Sequence, residues 1–229
     1  MAHIKKTVMP KTWPVPRKGR GKRFVAVPSH GTGKGISLLF LIRDVLGVAK
    51  TRKEVRHMTL NGMVKINNKV RHDENFPVNV LDVLKLDASA GSGRREAGGA
   101  LYYRLEIVNK KFNLVKIDAK EADSKIVKII GKSILSGGLV QMNLRDGQNF
   151  LSKVKFSVGD SVLLDTKKNV VSKILNLKKG AKVEIISGKH AGEKGELVGF
   201  EDLTRGRNYE IKLENSNVKL PYKTILVIG

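Results

Sequence analysis

Apolar residues first fall into register at Leu38. Leu38, Leu41, Ile42, Val45 and Leu46 stand at i, i+3, i+4, i+7 and i+8, the stripe of an amphipathic helix, and Gly47 is placed to end it. A second short helix is predicted from Thr51-Arg52-Lys53-Glu54, where a threonine followed three residues on by glutamate makes a capping box. On that helix Val55 and Met58 can face the first one, while Arg52, Lys53, Arg56 and His57 share the other side. Period two then takes over. Val64-Lys65-Ile66-Asn67 alternates, Asn67-Asn68 supplies a turn, and Lys69-Val70-Arg71 begins the return strand. The stretch from Val78 to Leu86 closes this unit of two helices and a hairpin.

Residues 87–100 are small, polar and glycine-rich, the composition of a loop or linker. Short apolar runs follow at Leu101 to Val108, Phe112 to Ile117, Ser124 to Ile130 and Gly138 to Leu144. Val154, Phe156 and Val158 alternate before the Gly159-Asp160 turn and Val162-Leu163-Leu164. Runs at this spacing predict a small antiparallel barrel, and a further set from Gly180 onwards predicts another. An aromatic content of 5% in 229 residues favours several modest cores over one large one. The fold class expected is therefore mainly β with a small α+β module. Its parts are a basic arm over 1–36, a helix-and-hairpin module over 37–86, a linker over 87–100, a central barrel over 101–176 and a last barrel over 177–229.

Charge adds a partner. The first 36 residues hold nine lysines or arginines (Lys5, Lys6, Lys11, Arg17, Lys18, Arg20, Lys22, Arg23 and Lys34), no acidic residue, and four of the six prolines. By composition such an arm stays unfolded alone and awaits a polyanion. Setting the nine aside leaves 35 basic against 21 acidic residues, so the body is basic as well, and the whole chain stands at +23. Nucleic acid is the first partner to consider. A membrane is disfavoured. The best apolar run, Ile36 to Ile42, is too short to span a bilayer, too far along for a signal peptide, and no lipidation signal accompanies it. With no cysteine, disulfides, thiolate catalysis and cysteine-ligated zinc are excluded, and a cytoplasmic location is the default.

Candidate chemistry is that of binding. Ile186-Ser187-Gly188-Lys189-His190-Ala191-Gly192-Glu193-Lys194-Gly195 spaces three glycines four and three apart between two strands, so Lys189, His190 and Lys194 project from a tight loop. The bland alternative is a plain surface hairpin. Trp13, within Lys-Thr-Trp-Pro-Val-Pro-Arg, either stacks on a base or packs against a fold, and stacking is favoured because the surrounding arm has no core of its own. Catalytic readings fail. The five histidines are scattered without metal-ligand spacing, and the Gly33-Lys34 and Gly131-Lys132-Ser133 pairs lack the remaining residues of a phosphate loop.

The loop around Gly192 resembles the KOW motif of ribosomal proteins and transcription elongation factors. The basic helix with Thr51, followed by Gly62-x-Val-x-Ile-Asn67, resembles the S-four-type RNA-binding domain. Together with His3-Ile-Lys-Lys6, Pro10-Lys-Thr-Trp13-Pro14-Val-Pro16-Arg17-Lys18, Ser37 to Gly47, Phe76 to Val83 and Tyr103-Arg104-Leu105, these pieces resemble the archaeal and eukaryotic type of small-subunit ribosomal protein S-four along essentially the whole chain. The resemblance implies an S-four-type domain, an oligonucleotide-binding-like central barrel and an SH3-like KOW barrel. It implies a structural constituent of the small ribosomal subunit that binds small-subunit ribosomal RNA beside neighbouring ribosomal proteins. No catalysis, metal, cofactor, small-molecule substrate, membrane or stand-alone homo-oligomer is expected. The RNA-binding candidates are the nine arm cations with Trp13, then Lys50, Thr51, Arg52, Lys53, Arg56 and His57. Lys65, Asn67, Lys69 and Arg71 on the hairpin, and Lys189, His190, Gly192 and Lys194 on the loop, complete the set. The rival readings are a KOW-containing transcription or translation factor that binds RNA transiently, and an RNA-modifying enzyme, for which residues 101–229 leave no room.

Overall fold

The computed structural model describes residues 3–19, 23–31, 35–87, 100–203, 206–214 and 216–229; Arg20, Lys22, Lys34 and residues 88–99 of the expected linker lie outside them. The chain is mainly β. It divides into two compact units, Met1–Ile107 with Lys111–Asp123, and Val108–Lys110 with Ser124–Gly229.

In the first unit the described residues of the amino-terminal segment are ordered against the rest of the unit, whereas its composition speaks only for the segment alone. Strand β1 (His3–Lys5) pairs antiparallel with β2 (Phe24–Ala26). Met9, Trp13, Val25 and Val27 are buried, and the Phe112 N–H donates to the Thr12 carbonyl at 2.7 Å. These few apolar side chains find their core in the body of the unit, which offsets the ordering cost that the segment cannot meet alone. Strand β3 (Gly35–Ser37) pairs with β6 (Pro77–Asn79) and leads into α1 (Leu38–Phe40). Instead of continuing as an amphipathic helix, the chain widens into a π turn over Leu41–Val45, where the Leu46 N–H reaches back five residues to the Leu41 carbonyl. Leu38 to Ile42 are all buried, so this segment is wrapped on every side rather than along one stripe.

Helix α2 (Arg52–Leu60) opens with the predicted capping box and buries Val55, Met58 and Thr59. Its carboxyl end turns at Asn61 and Gly62, the glycine holding φ 71°. A five-stranded sheet follows in the order β5 (Lys69–Val70), β4 (Val64–Ile66), β7 (Val83–Leu86), β8 (Leu101–Val108), β9 (Lys111–Lys116). Residues 101–116 thus pair with the helix-and-hairpin module through β7 rather than opening the central barrel, which corrects that boundary. The buried Leu105 and Ile107 of β8 supply the burial that makes this partnership favourable.

In the second unit, β10 (Ser124–Ile134), β11 (Val140–Leu144), β12 (Asn149–Ser152), β13 (Ser161–Asp165) and β14 (Val170–Leu175) form one sheet. Its order is β12-β11-β10-β13-β14, around a core that includes Ile129, Met142, Leu144 and Val162. The alternating Val154-Phe156-Val158 run is not a strand. Only Phe156 is buried, and both valines face solvent. A second sheet, in the order β18-β17-β16-β15-β19, is built from β15 (Lys182–Ile185), β16 (Lys194–Leu203), β17 (Gly206–Lys212), β18 (Asn217–Pro221) and β19 (Ile225–Val227). Val183, Ile185, Leu197, Ile211 and Ile225 fill its core. The two sheets of this unit are tied together by the Val227 N–H donating to Ser161 Oγ at 3.0 Å. Lys128 adds a second tie: its ammonium donates to the carbonyls of Tyr222 and Ile225.

Candidate nucleic-acid interface

Helix α2 carries the best-defined cationic face. Thr51 Oγ1 accepts the Glu54 N–H, and the Glu54 carboxylate accepts the N–H groups of Lys50 and Thr51, locking the start of the helix. The Lys50 N–H is the main reason the Glu54 carboxyl is held below its usual pKa range. Thr51 is therefore committed to capping the helix. Arg52 is also engaged. Its Nε donates to Glu74 Oε1 at 2.7 Å, Nη2 reaches the same oxygen, and this pairing holds the guanidinium above its ordinary pKa. Lys53, Arg56 and His57 remain on the exposed side, His57 within 2.9 Å of Asn61 Nδ2.

The Arg52–Glu74 pair carries a prediction. The Glu74 carboxylate is only 10% exposed, and its Oε2 has no hydrogen-bond partner among the described residues. Arg52→Met should lower stability by about 1–3 kcal/mol, the cost of removing a charged hydrogen bond from a buried acceptor, measured by urea unfolding. It should leave the salt dependence of RNA binding unchanged; an altered salt slope at full stability would return Arg52 to the phosphate-binding set.

On the hairpin, Asn67 and Asn68 both take left-handed backbone conformations, with φ of 51° and 62°. The Asn67 side chain donates to Asp82 and accepts the Val83 N–H, so Asn67 holds the turn. Lys69 is exposed and Lys65 half-buried. The Arg71 guanidinium lies 4.2 Å above the Phe76 ring. In the amino-terminal segment Lys5, Lys11, Arg17, Lys18 and Arg23 are exposed and Lys6 is half-buried. Arg17 donates to the Met9 carbonyl, pinning the segment with one of its own cations. Trp13 is 1% exposed, with its ring centroid 6.4 Å from that of Phe40. Its stacking role is corrected: the indole is core, because Phe40 and its neighbours give it apolar surface to bury.

In the glycine loop, Gly188 and Gly192 hold φ of 103° and 90°, conformations that other residues rarely adopt, and the Gly192 N–H donates to the Ile185 carbonyl at 2.8 Å. A β-carbon at Gly195 would stand 2.5 Å from the Lys212 carbonyl oxygen. The glycines therefore shape the backbone. Lys189 and Lys194 are exposed at this loop, whereas the half-buried His190 is turned to Glu193 at 3.0 Å. One cationic feature escapes the sequence reading. Phe200 is 49% exposed with the Arg207 guanidinium 4.4 Å from its ring centre and Lys179 Nζ at 5.7 Å. These residues meet through strand register and packing, which no local motif announces.

The family profile described as "Ribosomal family S4e" matches residues 100–171. The small ribosomal subunit protein eS4 of Pyrobaculum aerophilum is 32% identical over 204 residues, covering 86% of this chain and 82% of its own. The eS4 protein of Nanoarchaeum equitans is 34% identical over 197 residues, covering 84% and 80%. Among solved structures, the crystal structure of the 30S ribosomal protein S4e from Thermoplasma acidophilum superposes with a TM-score of 0.70 at 23% identity, covering 86% of this chain and 95% of that one. Relatives this similar, matched over about four fifths of their length, place the chain in the ribosomal S4e family.

Proposed function

We propose that this chain is a structural constituent of the small subunit of the cytoplasmic ribosome, where it binds and stabilises small-subunit ribosomal RNA through phosphate contacts and performs no catalysis. The observation that carries the reading is the identity of 32–34% to eS4 proteins of the small ribosomal subunit. The surplus of +23 supports it, with cations displayed on α2, the amino-terminal segment and the glycine loop. Contacts to the backbone rather than to bases suit A-form RNA, whose deep groove is closed to side chains. The contacting groups in this reading are Lys5, Lys11, Lys18 and Arg23, then Lys53, Arg56 and Lys69, then Lys189 and Lys194.

The modules are assigned accordingly. An S-four-type RNA-binding module follows the amino-terminal segment and recruits β8 and β9. The partly open five-stranded sheet of β10–β14 serves as an oligonucleotide-binding-like barrel. The sheet of β15–β19, with the glycine loop between its first two strands, serves as the SH3-like KOW module. Sucrose-gradient sedimentation of lysate at physiological salt tests the reading. The chain is expected to travel with the small subunit; recovery mainly at the top of the gradient would instead favour a factor that visits RNA transiently.

A further inference from the structure

Every pairing among β10–β14 is antiparallel, so the strands alternate in direction through the order β12-β11-β10-β13-β14. The two edges, β12 and β14, consequently point the same way, and among the described residues each has a strand neighbour on one side only. Such an edge is a template for a further strand. A groove of about 620 Å³ is lined by both edges and by residues 153–155. Leu151, Val154 and Val170 stand at its surface, 60%, 65% and 54% exposed. Phe150, Val171 and Ile174 pack against the core beneath. Lys153, Lys155 and Lys173 also line it, and no acidic residue is among its lining.

The geometry points to a strand-addition site: the groove between β12 and β14 receives an extended segment of a protein partner, with acidic side chains alternating with β-branched ones. One strand running antiparallel to both edges completes an all-antiparallel ladder. The backbone supplies the affinity and alternate side chains the selectivity. Edges of four and six residues call for a segment of comparable length. The three lysines alone would also suit phosphates, but the exposed Leu151, Val154 and Val170 between them match aliphatic side chains of a protein segment and give a base no ring to stack on, Phe150 being committed to the core. The three lysines select an acidic segment over a basic one. None of the lining residues belongs to the cations assigned to RNA, so the two readings fail or stand separately.

The probe is a labelled peptide, Glu-Val-Thr-Val-Glu-Val-Thr-Glu, titrated into the full chain, with the same peptide carrying lysine for glutamate and octauridine as comparators. The acidic peptide is expected to slow amide exchange in both 149–152 and 170–175 and to bind about tenfold tighter than its lysine form. Two variants at exposed positions, Lys153→Glu with Lys155→Glu and Lys173→Glu, and separately Leu151→Asp with Val154→Asp, should each weaken it about tenfold. Unchanged exchange at either edge, equal binding of the lysine peptide, or octauridine protecting the same edges as well as the acidic peptide would each overturn the proposal.

Discussion

Replacing Lys53 and Arg56 together by glutamine should weaken binding to small-subunit ribosomal RNA by roughly 25- to 60-fold at 0.1 M salt. Each cation that neutralises a phosphate releases counterion and contributes a slope of about 0.7–0.9 to the dependence of log affinity on log salt. Removing two such cations lowers the slope by about 1.4–1.8, and over the tenfold span from 1 M to 0.1 M salt that difference amounts to the stated range. The effect is assigned to these two residues because they remain on the exposed face of α2 while Thr51 caps the helix and Arg52 holds Glu74. The capping box matters to the size of the effect. A helix fixed at its first turn presents its charges with little ordering left to do on binding. Filter binding across 50–400 mM salt measures both quantities, and an unchanged slope would remove α2 from the interface.

The second large effect concerns Lys128, which lies far from water at 1% exposure. Burial pushes its pKa down to about 7, the nearby Arg145 charge pushes the same way, and Asp160 opposes both. Burial also holds Arg145 below its ordinary value. A base whose folded pKa lies beneath its unfolded one sheds its proton in the folded state first. Between about 7 and the unfolded value near 10.4 the unfolded chain binds more protons, so stability rises with pH across that window, by at most about 1.4 kcal/mol per unit. Below pH 7 the group is charged in both states and adds no slope. Lys128→Met should abolish this rise, leaving a flatter profile of urea midpoint against pH. Parallel profiles for the two proteins would show that Lys128 titrates normally.

The sequence displays best what is decided within a few residues. The capping box at Thr51 and Glu54, the turn at Asn67-Asn68 and the glycine loop through Gly192 all appear where spacing and residue type put them. Decisions taken between distant residues are not visible there. Arg52 finds its carboxylate 22 positions further on, and nothing in the helix pattern distinguishes it from Arg56. Residues 101–116 read as strands, but their alternation says nothing about which sheet they join, and it is β7 that pairs with Leu101–Arg104 residue by residue while β9 follows on β8. Strands β12, β14 and β18 pass unnoticed because exposed and polar positions interrupt their apolar period. Trp13 is misjudged for a related reason. A tryptophan in a cationic, proline-rich stretch looks stranded until Phe40 is brought beside it.

The hydrogen bond from the Phe112 N–H to the Thr12 carbonyl ties together positions far apart along the chain. Thr12 therefore meets this partner only once the intervening chain is present and β9 has formed. Forming this bond closes a long loop whose entropy must be met before the contact is gained.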